Sequence, residues 1–313
     1  MVKYIIKRLL MMIPVLLGIS LVVLLLIDIT PGDPAKIIAG PTASAEDHAR
    51  IRENLRLDDP LFVRYVRFIW DVLHGDFGNS FITKRAVWPD IMQRFPYTLL
   101  LAATSMALSI IVGIPLGVYA ATHQYTWKDN AAILVSLFCV SMPAFWFALM
   151  LVQTFSVNLR ILPVSGVDTW TGWVLPVVSL ALGYTAIIAR QARSNTLEVI
   201  RQEFITTARA KGQSEFKILY RHALRNALLP VIMIIGSIFG LSLGGALIAE
   251  VIFSLPGLGN YTLTGLTNRD YPVIQGSVLF LSALFSVIIL ITDLIFAFVD
   301  PRIRSQYTKN ENT

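Results

Sequence analysis

Six uncharged stretches punctuate this chain: Leu9 to Ile27, Tyr97 to Thr122, Ala131 to Leu159, Thr169 to Ala189, Asn226 to Ala249 and Tyr271 to Thr292. Each matches or exceeds the roughly 20 residues that a helix needs to cross the hydrocarbon core of a bilayer. Inside lipid a helix satisfies all of its own backbone groups, which irregular chain cannot do. With 55% hydrophobic residues, 15% charged residues and a mean hydropathy of +0.65, the chain cannot clothe a soluble surface. The expectation is an all-α integral membrane protein with six transmembrane helices. The first stretch follows Lys3, Lys7 and Arg8 as a signal peptide would, but it runs into Asp28-Ile29-Thr30-Pro31-Gly32-Asp33 without a small-residue cleavage site. It is expected to stay as the first span.

The basic residues of the short connections orient the spans. With the N-terminus in the cytoplasm, that side collects Lys3, Lys7, Arg8, Lys128, eight basic residues between Arg190 and Arg225, and Arg302, Arg304 and Lys309, fifteen in all. The two short outer loops then hold only Arg160 and Arg269. Nine further basic residues, with ten acidic ones, lie between Asp28 and Pro96, a segment too long to obey the rule. Both termini are therefore expected in the cytoplasm. The net charge of +6 reflects this topology; no module that mixes basic and aromatic residues points to nucleic acid. Cys139, the only cysteine, falls in the third span, which excludes a disulfide and a cysteine-held metal.

Residues 1–96, the first span and a long outer segment, are expected to be organised apart from residues 97–313, a five-helix core with an inner loop at 190–225. In the outer segment Ser44 and Asp47 have the spacing of a capping box, and Asp59-Pro60 predicts a cap followed by proline at the first helical position. Phe62, Tyr65, Val66, Ile69, Val72 and Leu73 then recur at helical spacing, opposite Arg64, Arg67 and Asp71, until Gly75. This helix is expected on the membrane surface, either capping the helix ends or offering a platform to an outside partner. Trp70, Trp88, Phe95 and Tyr97 suit an interfacial belt.

Within the spans, Gly113 and Gly117, and again Gly236, Gly240 and Gly244, fall four apart, which predicts close helix packing. His48, His74, His123 and His222 all lie outside the spans, and only Asp293 sits well inside one, where it is expected to be paired near the end of the sixth helix. A proton relay or an intramembrane metal site would need several such groups.

None of the eight lysines stands in a glycine-rich phosphate loop, so this chain has no visible nucleotide cradle. The inner loop offers a place to receive work instead. Leu197, Ile200, Phe204 and Ala208 predict an apolar stripe, Gly212 interrupts it, and Ser214 is placed to cap a second helix carrying Phe216, Leu219, Tyr220, Ala223 and Ala227. Such a pair of short helices could instead lie on the anionic inner leaflet.

Thr206-Thr207-Ala208, with Gly212 following after three residues, resembles the coupling loop of binding-protein-dependent ABC importer permeases. Where the general signature has Glu-Ala-Ala this chain has two threonines before Ala208, and Arg225 stands where the signature has proline. The runs Thr207 to Gly212 and His222 to Pro230 are instead similar to the branch of dipeptide, oligopeptide, nickel and glutathione permeases. Pro31-Gly32-Asp33-Pro34, Gly75-Asp76-Phe77-Gly78, Ser141-Met142-Pro143, Leu162-Pro163, Pro256-Gly257-Leu258-Gly259, Arg269 to Gln275 and Asp300-Pro301-Arg302-Ile303-Arg304 resemble the B-type subunit of that branch along nearly the whole chain.

That resemblance implies the type I importer permease fold in a bacterial or archaeal cytoplasmic membrane. It also implies a non-enzymatic subunit surrounded by membrane lipid, a homologous second permease, two ABC ATPase subunits that bind ATP and Mg, and an external solute-binding protein. No cofactor or metal is expected on this chain. The coupling residues implied are Thr206, Thr207, Ala208, Lys211, Gly212, Ser214 and Glu215. Glu250, Pro256, Gly257 and Gly259 are candidates for an outer gate or for plain loop packing. Short peptides are the expected solute, with glutathione, which the run Pro34 to Pro41 favours, and chelated nickel as alternatives. A self-sufficient channel or ion-coupled carrier is the competing class.

Overall fold

A computed structural model describes residues 2–29, 33–39, 43–54 and 56–299, so the motif parts at Pro31-Gly32, Pro41 and Asp300 to Arg304, and Lys309, lie outside the described residues. The order of elements is α1 (Val2–Ile29), α2 (Pro34–Ala39), α3 (Ala45–Asn54), α4 (Leu61–Leu73), α5 (Val87–Thr122), α6 (Trp127–Ser141), α7 (Ala144–Leu151), α8 (Thr171–Ile200), α9 (Glu203–Ala210), α10 (Glu215–Lys217), α11 (Leu224–Ile252), α12 (Leu258–Asn268) and α13 (Tyr271–Val299). Two π-helical stretches, Val152–Asn158 and Ile218–Ala223, follow α7 and α10. The fold is that of the all-α membrane class, but the third apolar stretch is not one rod. α6 and α7 meet at 99° across Met142-Pro143. The cause is local: a residue before proline is pushed out of the helical region, and Met142 sits at ψ 129. The spans are thus five continuous helices and one bent pair.

Two compact units divide the chain. One comprises Met1–Ile5, Leu99–Leu255 and Phe285–Thr313; the other comprises Ile6–Thr98 and Pro256–Leu284.

In the first unit, Leu101, Leu151, Leu175, Ala249 and Phe253 build one buried cluster, and Met106, Ile188, Ala192, Val231 and Ile238 a second. Glycines let the helices close on each other. A Cβ at Gly113 would lie 2.9 Å from the Thr185 carbonyl oxygen, and one at Gly117 would fall on the Ala189 carbonyl and 2.8 Å from Ala192 Cβ. Gly236 faces Thr292, and a Cβ at Gly240 would sit 2.7 Å from the Phe285 ring. A Cβ at Gly244 meets nothing within 4 Å, so among the described residues Gly236 and Gly240 are the α11 glycines in close contact within this chain.

A bidentate ion pair ties α6 to α8. Arg193 donates from Nε to Asp129 Oδ1 at 2.5 Å and from Nη2 to Oδ2 at 2.7 Å, while Oδ2 also accepts the Tyr125 N–H at 3.2 Å. The Asp129 side chain is only 2% exposed and that of Arg193 22%.

In the second unit, Tyr65 of α4 donates its hydroxyl to the Leu17 carbonyl of α1 at 2.8 Å, and Arg64 pairs with Asp28 at 2.7 Å. The capping box forms: Asp47 N–H bonds Ser44 Oγ at 3.1 Å, and Ser44 N–H and Oγ both reach Asp47 Oδ2. Those bonds hold the Asp47 carboxyl below its ordinary range. Asp59 does not cap α4. Pro60 occupies the cap position with ψ 140 and no side-chain bond, and Asp59 pairs with Arg67 at 2.6 Å. The apolar stripe of α4 is left largely uncovered, with Phe62, Val66, Trp70 and Leu73 exposed.

Beyond it, Val87, Ile91, Leu258, Tyr261 and Val273 form a core. Asp270, buried before α13, accepts from Ser80 Oγ at 2.5 Å and Phe81 N–H at 2.9 Å.

Candidate functional site

The loop at 190–225 folds on its own terms. α8 ends at Ile200, and Gln202 takes an extended ψ of 152 before α9 begins. Periodicity cannot be carried across such a break. The expected stripe of Leu197, Ile200, Phe204 and Ala208 is therefore corrected: Phe204 is exposed, and Ile205 turns inward beside Ala208. A second correction follows α10. The π-helical stretch Ile218–Ala223 inserts one residue per turn, so the inward positions are Ile218, Ala223 and Ala227, five and then four apart, with Leu219 at the edge. Phe216 and Tyr220, expected to share that face, are 73% and 52% exposed. Their rings contact each other at a tilt of 38° with centroids 4.5 Å apart.

Val199, Ile205, Ala208, Ile218, Ala223 and Ala227 thus form a miniature core private to the loop. The turn between α9 and α10 is equally specified. Gly212 lies at φ +73, its N–H bonds the Arg209 carbonyl at 2.9 Å, and the Gln213 N–H bonds the Ala208 carbonyl at 3.3 Å. This is the paired arrangement of a Schellman motif, whose left-handed position favours glycine. Ser214 caps the next helix by accepting from Lys217 N–H at 3.4 Å. Across the turn Arg209 grips Glu215 through Nε at 2.7 Å and Nη2 at 3.1 Å, which raises the Arg209 guanidinium further above its ordinary value. Gln213 Oε1 and His222 Nε2 are 2.7 Å apart.

Among the coupling candidates, Ala208 belongs to this core, Gly212 and Ser214 shape the turn, and Glu215 closes it. Thr206, Thr207 and Lys211 are exposed, and Thr207 Oγ1 bonds back to the Glu203 carbonyl at 3.1 Å. Sequence reasoning missed Ile205 and Ile218; the resetting dipeptide Arg201-Gln202 was the available signal for the first, and nothing marks the π stretch.

The gate candidates are packed rather than open. Glu250 is 0% exposed in the last turn of α11, and its carbonyl accepts the Leu255 N–H at 2.8 Å. Gly257 is the cap residue of α12, and both it and Gly259 are buried, with Pro256 half-buried. The neighbouring Leu258 N–H bonds Thr98 Oγ1 at 2.8 Å. Among the described residues no group of three or more His, Cys, Asp and Glu could hold a metal ion.

Comparison with known proteins adds three findings. Residues 113–305 match the family described as "Binding-protein-dependent transport system inner membrane component", and residues 1–102 match "Binding-prot-dependent transport system membrane comp, N-term". The glutathione transport system permease protein GsiC of Salmonella paratyphi A is 41% identical over 304 residues, covering 97% of this chain and 99% of that protein. GsiC of Escherichia coli K12 is 40% identical over the same span, with the same coverage. Among solved structures, an inward-facing MetNI methionine ABC transporter matches with a TM-score of 0.57 at 19% identity, covering 67% of this chain and 96% of that chain. An amino acid ABC transporter crystallised with histidines matches with a TM-score of 0.52 at 16% identity, covering 68% and 94%.

Proposed function

This chain belongs to the binding-protein-dependent transport system inner membrane components, as a permease subunit of an ABC importer with the type I fold, and from that membership we propose the assembly it works in. It pairs with a homologous second permease, docks one of the importer's two ATPase subunits through the 190–225 loop, and receives solute from an external binding protein. The observation that supports the docking role is the loop itself: a hairpin of short helices with its own core and a fixed glycine turn, which presents Thr206, Thr207 and Lys211 outward. A flexible segment would lose force in bending; this one is built to pass it on. ATP and Mg belong to the ATPase subunits in this reading. The packed positions of Glu250 and of the Pro256 to Gly259 turn favour a bracing role at the outer end over a movable plug.

Short peptides are the proposed solute class, and glutathione, a tripeptide with one atypical linkage, is the member to test first because relatives 40–41% identical over nearly their full length carry its name. Thermal shift of the cognate binding protein with glutathione, dipeptides and chelated nickel tests this directly.

The purified chain alone is expected to hydrolyse no ATP. Hydrolysis should appear on reconstitution with the second permease and the ATPases, and rise with solute-loaded binding protein. Robust hydrolysis by this chain alone, after removal of contaminants, would sink the assignment of ATP to partner subunits.

The proposed orientation places 190–225 and both termini in the cytoplasm and 29–96 outside. Ser44 and Ser214 are both exposed. Cysteines placed there, in a Cys139→Ala background, should react with a membrane-impermeant maleimide in intact cells only at position 44, with any outer membrane first made permeable. Labelling at 214 in sealed cells overturns the orientation.

A further inference from the structure

The outer segment holds a cleft of about 210 Å³ between α4, the Arg56-Leu57 turn, the 76–81 loop and the first turn of α13. Its walls carry both signs of charge. Arg64 and Arg67 are already committed to Asp28 and Asp59, and the Asp76 carboxylate accepts the Gly78 N–H at 2.8 Å. Two charges remain. The side chains of Arg56 and Asp71 line the same cleft and, among the described residues, neither forms an ion pair or a hydrogen bond. Phe68 and Phe77 supply apolar wall between the charged groups.

The walls are also held in place before any ligand arrives. Tyr65 and Arg64 pin α4 to α1, and Asp270 pins the loop at Ser80 and Phe81. Arg56 itself sits at φ 51, a left-handed conformation that a non-glycine residue adopts at a cost, and its backbone is tied by its N–H to the Glu53 carbonyl at 3.0 Å and by its carbonyl to the Asp59 N–H at 3.4 Å.

A cleft with one cation and two carboxylates free of ion pairs, Asp71 between the apolar walls and Asp76 on the facing loop, is complementary to a small molecule that carries a carboxylate and an ammonium group. We propose that it is a second binding site on this chain for amphoteric solute of amino-acid to tripeptide size, the carboxylate held by Arg56 and the ammonium by Asp71. This rests on the peptide-class reading above and adds to it a site within the outer segment itself.

The test uses the assembled permease and ATPase complex in nanodiscs, without binding protein, titrated with Ala-Ala. Ala-Ala should bind, and N-acetyl-Ala-Ala and Ala-Ala-amide should each bind about tenfold more weakly or worse, as expected for loss of a charge-assisted contact. The variants then assign the ends. Arg56→Gln should weaken Ala-Ala and abolish its advantage over the amide while keeping its advantage over the acetylated form. Asp71→Asn should give the reverse pattern. Because each variant is read by which blocked peptide it ceases to distinguish, general misfolding cannot mimic the result. Undiminished discrimination in both variants, or no discrimination by the unaltered complex, overturns the site. Thermal shift of the binding protein separates the two readings. If that protein binds peptides while the complex shows no such pattern, this inference alone fails; if it binds no peptide, the solute reading fails and the inference falls with it.

Discussion

Solute uptake is expected to be abolished by Ala208→Glu, with membrane insertion of the chain unaffected. Ala208 is 8% exposed and packs with Ile205, Ile218, Ala223 and Ala227. A carboxylate there has no cationic partner inside the cluster, and burying it costs several kcal/mol. The cluster holds α9 against the π stretch, so the loop would open and lose the shape that its ATPase subunit is proposed to grip. Gly212→Val should act through a different route. Its position is sterically open, with nothing within 4 Å of a Cβ, so the effect comes only from forcing a β-branched residue to φ +73, roughly 1 kcal/mol or more. Uptake should fall with it, less completely than with Ala208→Glu. Membrane content by immunoblot, co-purification of ATPases and uptake of labelled solute check the set. Normal uptake by Ala208→Glu with ATPases fully bound would remove the loop from the mechanism.

The second large effect is expected at the α6–α8 ion pair. Asp129→Ala leaves the Arg193 guanidinium without its partner in a mostly buried site, and breaking a buried pair from one side costs about 3–5 kcal/mol. The 22% exposure of Arg193 lets water compensate in part, which puts the expectation at the lower end, about 3 kcal/mol. The double variant Asp129→Ala with Arg193→Leu should recover most of the loss, since no charge is then stranded. Denaturant titration in detergent, comparing the two, reads the difference. A single variant within about 0.5 kcal/mol of the parent, the range of an ordinary surface change, would show that the pair is dispensable.

Much of this fold is legible because lipid leaves a chain few choices. Long uncharged stretches become helices wherever they occur, and glycines four apart at Gly113 and Gly117 seat against α8 because no other residue admits a backbone so close. The Ser44 and Asp47 capping box and the left-handed turn at Gly212 are equally local and equally readable. What sequence reasoning misplaced depends on phase. Steps of 3.6 carried through Arg201-Gln202 and through Ile218–Ala223 put Phe204, Phe216 and Tyr220 inward, and both places reset the count. The proline after Asp59 signals a cap, yet Arg67, eight residues on, makes the better partner for its carboxylate. The Asp129–Arg193 pair, 64 positions apart, has no local signal at all. Gly244 carries the same spacing as Gly236 and Gly240, but spacing alone does not say whether another helix arrives.

The loop at 190–225 keeps its two tasks on separate residues. Ile205, Ala208, Ile218, Ala223 and Ala227 make it fold and face inward, whereas Thr206, Thr207, Lys211, Phe216 and Tyr220 face outward and contribute little to that fold. A hairpin divided in this way is free to diverge on its outer surface without losing its form. Partner choice can drift from one importer to the next through a handful of outward substitutions, and the hairpin can be exchanged between permeases as a unit, provided the core residues, Val199 included, and the glycine turn travel with it.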